Sequence, residues 1–189
     1  SSSPSVTPTA TTGPPSQLAG HVSYYNGGGP VPDAEVVMLG DTPGTAMTDP
    51  GGNYGFSTAG PGNVTLRPQK DGQFNAAVTS FDAVLVLQAI AGQVTLTADQ
   101  QLAADVTGNG SFSTLDATRI LQFQAGILTR FAAADLCQSD WLFVPVPSPT
   151  PNQTLVEPVV GGGSCQRGAI GLTSFTPPLS ARDFQAILL

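Results

Sequence analysis

Charge is scarce in this chain. Only 10% of its 189 residues are charged, and Lys and Arg together number 6. So few cations cannot build a basic patch, which excludes charge-driven binding to nucleic acid or to an anionic membrane surface. The acids are skewed as well, since Glu35 and Glu157 are the only glutamates among 13 acidic residues. An excess of Asp suits turns, helix caps and metal loops, whereas Glu suits exposed helix faces. The one histidine, His21, falls on an expected strand of a small sandwich, and the two cysteines, Cys137 and Cys165, are read as paired, so no zinc site, His-based triad or Cys–His pair is expected. No apolar run reaches about 18 residues, so no membrane-spanning helix is expected.

Gly and Pro, at 22 and 17 residues, are plentiful and favour turns and short strands over long helices. The opening Ser1-Ser2-Ser3-Pro4 lacks a Met and a basic segment, as expected of a processed or trimmed chain. Residues 1–16 are Ser/Thr/Pro-rich, read as an extended linker and a candidate for O-glycosylation. Over 17–69, short apolar bursts (Leu18 to Tyr25, Ala34 to Leu39, Thr45 to Thr48, Tyr54 to Ser57, Asn63 to Arg67) alternate with turn residues. That spacing predicts a small antiparallel sandwich. Residues 131–189 return to β-type composition, with strands expected at Trp141 to Val146, Thr154 to Val160, Arg167 to Thr173 and Phe184 to Leu189. An apolar terminal strand must be covered within its own domain or by another chain. Cys137 and Cys165 are read as a disulfide, the alternative being two separate buried thiols. The fold class is therefore multi-domain and mainly β, with a small central α module over 70–130.

That central module carries the chemistry. Asp71 to Gly92 and Asp105 to Gly126 repeat one another at an offset of 34 residues. Each copy is an oxygen-rich loop of 12 residues followed by an apolar helix, the way one continuous segment builds a calcium site. In the second copy the ligand positions are Asp105, Thr107, Asn109, Ser111, Ser113 and Asp116, with Gly110 at the sharp turn. In the first they are Asp71, Gln73, Asn75, Ala77, Thr79 and Asp82, and Ala76 stands where the turn favours glycine. Ca2+ is expected in both, more securely in the second. A capping box at Thr97 and Gln100 starts a linker helix between them. The competing reading makes these loops helix caps, with Asp82 and Asp116 stabilising helix N-termini.

An Asp at loop position 12, followed by Ala and a Leu-rich helix, resembles the type I dockerin repeat. The resemblance implies two calcium sites and a protein partner, a cohesin-like domain, docking on the helices. Carried over, the docking candidates are Val84, Leu85, Thr118 and Arg119. The order of features in 17–69 (Gly20-His21-Val22, Pro32 to Val36, Thr48 to Phe56, Val64-Thr65-Leu66) resembles the carboxypeptidase-regulatory-like, or prealbumin-like, module of secreted bacterial proteins. Together these imply a secreted, non-enzymatic structural or adhesion protein at the cell surface or in extracellular matrix. Two other readings stand beside it. One is a filament subunit that pairs with copies of itself by strand addition. The other is a carbohydrate-binding accessory module using Trp141 and Tyr24-Tyr25.

Overall fold

The computed structural model describes residues 17–73 and 77–189; the predicted linker over 1–16 lies outside them. Five short strands come first: β1 (Leu18–Tyr24), β2 (Glu35–Gly40), β3 (Gly44–Met47), β4 (Asn53–Phe56) and β5 (Gly62–Gln69). Four helices follow: α1 (Ser80–Ile90), α2 (Ala98–Ala104), α3 (Thr114–Gln124) and α4 (Ala132–Cys137). Six further strands close the chain: β6 (Trp141–Pro145), β7 (Gln153–Val156), β8 (Val159–Gly161), β9 (Ser164–Gln166), β10 (Ala169–Phe175) and β11 (Phe184–Leu188).

The expected division into a sandwich over 17–69 and a separate β segment over 131–189 does not describe the sheets. One sheet runs β4-β1-β11-β6 and the other β3-β2-β5-β10-β7, so each mixes strands from both ends of the chain. β11 lies parallel to β1, with Val22 opposite Phe184, and antiparallel to β6. β10 pairs antiparallel with β5, Ile170 facing Leu66. The physical reason is area. Five strands of four to eight residues cannot cover both faces of a core, so the inner faces of β5 and β1 need β10 and β11. Strand alternation sends Val36, Met38, Val64, Leu66, Ile170 and Leu172 inward from one sheet. Leu18, Val22, Tyr54, Phe56, Trp141, Phe143 and Phe184 meet them from the other. The apolar C-terminal strand, expected to need a cover, is thus an inner strand covered by its own chain.

The helical module leaves this sandwich after β5 and returns at β6, and the two crossings are stitched together. The Lys70 carbonyl accepts from the Asp140 amide at 2.9 Å. The Lys70 amide donates to Ser139 Oγ at 3.0 Å, and the Gly72 amide to Asp140 Oδ2 at 2.6 Å. Trp141 Nε1 donates to the Gly72 carbonyl at 2.9 Å, while the indole stacks at a tilt on Tyr24, 5.5 Å between centroids. Trp141 is only 3% exposed, so it serves the core and is no platform for a sugar ring.

Inside the module, α1 and α3 pack through Ala83, Val86, Ala117 and Ile120, joined by Val106 and Phe131. α4, absent from the sequence reading, places Ala133, Ala134 and Cys137 against Leu142, Val160 and Leu189. The Cys137–Cys165 disulfide is formed and ties α4 to β9. It closes a loop with a sequence separation of 28. Loop-closure entropy assigns such a bridge about 3–4 kcal/mol. Reduction with dithiothreitol should therefore lower the free energy of unfolding in urea by about that amount, with a steeper slope because the unfolded chain is freed from the closed loop. An unchanged midpoint would show that the bridge does not hold the fold.

Candidate metal centre and docking face

The second loop begins at the last turn of α2 and ends inside the first turn of α3. Asp105 stands at its head, 3% exposed, and Asp116 at its foot, 0% exposed. Asp105 Oδ1 accepts from the amides of Gly108 at 2.9 Å and Asn109 at 3.1 Å, and Oδ2 from that of Gly110 at 2.6 Å. Three amides converge on one carboxylate because the backbone turns through positive φ at Gly108 and Gly110, where a Cβ is disfavoured. Asp116 Oδ1 accepts from the amide and hydroxyl of Thr107, at 2.9 and 2.8 Å. Its Oδ2 accepts from the amide and hydroxyl of Ser113, both at 2.8 Å. Ser113 in turn accepts from the Leu115 amide at 3.2 Å, completing a capping box. Asn109 Oδ1 receives the amide and hydroxyl of Ser111 at 2.9 and 3.0 Å.

Two buried carboxylates in one loop call for positive charge, because desolvation and mutual repulsion both oppose them. Among the described residues every ion pair is made by Arg130, and none reaches Asp105 or Asp116. Thr107 Oγ1 lies 3.2 Å from Asp105 Oδ1 and 2.8 Å from Asp116 Oδ1. A hydroxyl has one proton to give, so one of those contacts sets an oxygen lone pair against a carboxylate. A divalent cation among these oxygens relieves both problems, and the donor set, all oxygen, is that of calcium. Among the described residues no three His, Cys, Asp or Glu side chains converge. The charged part of such a site is therefore two carboxylates, with hydroxyl, amide and carbonyl oxygens to complete the shell.

The first loop is arranged differently. Asp71 is exposed and pairs with Arg130 at 3.0 Å. Gln73, at φ 57°, accepts from Lys70 Nζ at 2.7 Å and donates to Asp33 Oδ2 at 3.2 Å. Asn75 and Ala76 lie outside the described residues, and Ala77 is exposed. Asp82 repeats the role of Asp116 at the helix start, accepting from the Thr79 amide and hydroxyl at 2.6 and 2.8 Å. The two copies thus share their capping boxes, Thr79 with Asp82 and Ser113 with Asp116. They differ at the loop heads, where Asp71 and Gln73 face cations of the protein itself. Sequence reasoning passed over those cations, Lys70 and Arg130, although each directly adjoins or follows the repeat.

Residues 70–123 match the family model of the dockerin type I domain. No curated protein and no solved structure matches the chain. The matched dockerin segment begins at Lys70, where the chain leaves the sandwich, and holds both loops and both long helices. A dockerin domain is a calcium-binding, protein-interacting module and is itself non-catalytic. No helix among the described residues is long and apolar enough to cross a membrane.

One exposed face of the dockerin segment is apolar. Phe81, Val84, Leu87 and Ile90 recur every third residue of α1 and are all exposed, Phe81 by 63%. Their counterparts on α3 include exposed Leu115 and Leu121. α1 also buries Ala83 and Val86, so it is apolar on two faces, a pattern that calls for cover on both. Of the four predicted docking residues, Val84 belongs to this stripe and Thr118 is exposed, its hydroxyl donating to the Thr114 carbonyl at 2.8 Å. Leu85 is half-buried and lines an apolar cavity of about 240 Å3 with Leu96, Phe131 and Leu189. Arg119 is half-buried and donates to Gln122 Oε1 at 2.8 Å. Phe81, Leu87 and Ile90 are not among the docking residues expected from the sequence, because helical spacing marks an apolar face without saying whether that face is covered.

Proposed function

We propose that this chain is a secreted, non-enzymatic structural or adhesion protein. It presents its dockerin segment as a calcium-held docking unit to a cohesin-like partner at the cell surface or in extracellular matrix. The loop from Asp105 to Asp116 holds the more secure Ca2+, through Asp105, Thr107, Asn109, Ser111 and Asp116. The loop from Asp71 to Asp82 takes a second ion more weakly, since Arg130 competes for Asp71. The sandwich acts as the rigid base, in keeping with its likeness to the carboxypeptidase-regulatory-like module. The observation that carries this reading is the exposed stripe Phe81, Val84, Leu87 and Ile90 beside a loop that fits calcium.

Calorimetric titration of the whole chain with a cohesin domain tests it. Binding is expected in calcium and not in chelator, and V84E/L87E should weaken it at least about a hundredfold, because two charges would enter an apolar contact. Binding indifferent to both chelator and the double variant sinks the proposal. Sedimentation of the free chain separates the filament reading: concentration-dependent growth sensitive to the same variant would assign the stripe to copies of itself.

A further inference from the structure

Two of the chain's six Lys and Arg residues stand side by side with no acid among the described residues to answer them. The other four are engaged. Lys70 Nζ donates to the carbonyls of Pro32 and Asp33 and to Gln73. Arg119 meets Gln122, Arg130 meets three aspartates, and Arg182 meets Ser148, Thr150 and Gln153. Arg67 and Arg167 instead share the wall of a cleft of about 580 Å3. It lies between the outward face of β5, β7 and β10 and the pair of elements, α4 and β9, that the disulfide joins. Arg67 points there because its neighbours Leu66 and Pro68 alternate into the core.

The Nε of Arg67 is buried and has no hydrogen-bond partner among the described residues. Arg167 Nη1 donates to Gln69 Oε1 at 2.7 Å, and Gln69 Nε2 donates to Glu35 Oε2 at 2.6 Å, so Glu35 orients Arg167 only at one remove. Burial first, and then the Arg67 charge, push the Arg167 guanidinium toward easier loss of its proton. Like charges held together in a chain of net charge −7 are unfavourable unless an anion joins them. Nε is one arm of the fork with which arginine grips an oxyanion side-on. The remaining polar residues of the wall are neutral: Thr65, Gln138 and Gln166, the last donating its Nε2 to the Glu157 carbonyl at 2.9 Å. Such groups suit hydroxyls rather than a second charge, and the volume suits a small polar molecule.

We infer that the cleft walled by Arg67 and Arg167 is an oxyanion site for a carboxylate-bearing, hydroxyl-rich ligand of sugar size, that is, an acidic monosaccharide unit. The site is independent of the docking stripe and of calcium. The probe is D-glucuronate, titrated into the whole disulfide-bonded chain by NMR and calorimetry, with neutral D-glucose and inorganic sulfate as parallel arms. Glucuronate should bind saturably, with affinity falling as salt rises, and glucose should not. R67Q and R167Q should each weaken binding at least about tenfold, and R67K should recover only part of the loss, since lysine supplies charge without the fork. Unchanged melting of each variant confirms that the fold survives. Sulfate binding with the same arginine dependence supports the oxyanion site and makes the free ion a sufficient source. Glucose binding as well as glucuronate, glucuronate binding unaffected by both Gln variants, or no response to either anion overturns the inference.

Discussion

Residues 17–69 expressed alone should not fold. Of the 18 buried residues that form the main core, 7 come from the far end of the chain, Trp141, Phe143, Ile170, Leu172, Phe175, Phe184 and Ala186. At roughly 1.5–3 kcal/mol for each large side chain, their loss removes about 10–20 kcal/mol of burial. That exceeds the 5–15 kcal/mol or so by which domains are stable at all. The fragment also strips hydrogen bonds from β1 and β5, turning two inner strands into edges. Circular dichroism should report a disordered fragment, and its amide spectrum should collapse into the random-coil range. The converse deletion should be tolerated. Because Asp71 and Arg130 are paired at 3.0 Å, a short Gly-Ser bridge in place of residues 73–129 should leave the sandwich, α4 and its disulfide folded. A native-like spectrum from 17–69 alone would refute the shared sandwich.

The second large effect is expected at Asp116. Asp116→Ala leaves four donors without their acceptor, the amides and hydroxyls of Thr107 and Ser113. At about 1–3 kcal/mol for each buried group left unpaired, less what water recovers, the module should lose about 3–6 kcal/mol. Loss of the capping box is part of that figure. Calcium adds a separate contribution, about 2.7 kcal/mol when the ion stands at a hundred times its dissociation constant. Melting curves in calcium and in chelator should therefore differ for the unaltered chain, and the difference should shrink in the Asp116 variant. Asp82→Ala should cost less, since it removes the acceptor for two donors of Thr79 at a partly exposed site. A melting temperature blind to chelator would rule out a structural ion. Equal losses in the two variants would rule out the ranking of the loops.

Much of the local structure was legible. The 34-residue repeat placed two helices of the same length in register, Ser80–Ile90 and Thr114–Gln124. Thr97 and Gln100 do form the expected capping box, and the five early strands fall where turn residues bracket them. These signals are local, written in side-chain period and cap chemistry. Partnership between strands is not local. Nothing in Phe184 to Leu188 says that its neighbour is Leu18 to Tyr24 rather than a strand nearby, because alternation fixes which face is buried and not against whom. α4 was hidden for another reason: Ala132 to Cys137 is too short and too uniform to show a period. At the site, the second loop was legible because glycines mark its turns. The turning of Asp71 toward Arg130 was not, since it depends on a cation 59 residues away.

The parallel pairing of β1 with β11 sets how the sandwich would respond to a pull along its strands. Val22, Ser23 and Tyr24 stand beside Phe184, Gln185 and Ala186 with both strands running the same way. Tension that draws Leu18 and Leu188 apart along the strands then slides one past the other. All the hydrogen bonds between them must yield together rather than unzip in turn. The dockerin segment is inserted between β5 and β6, outside that path, and meets the rest of the chain at the stitched crossings, at the Tyr25–Thr97 hydroxyl contact of 3.0 Å and through Leu102. A partner on α1 and α3 would sit on a side branch, sheltered from a pull that runs end to end through the sandwich.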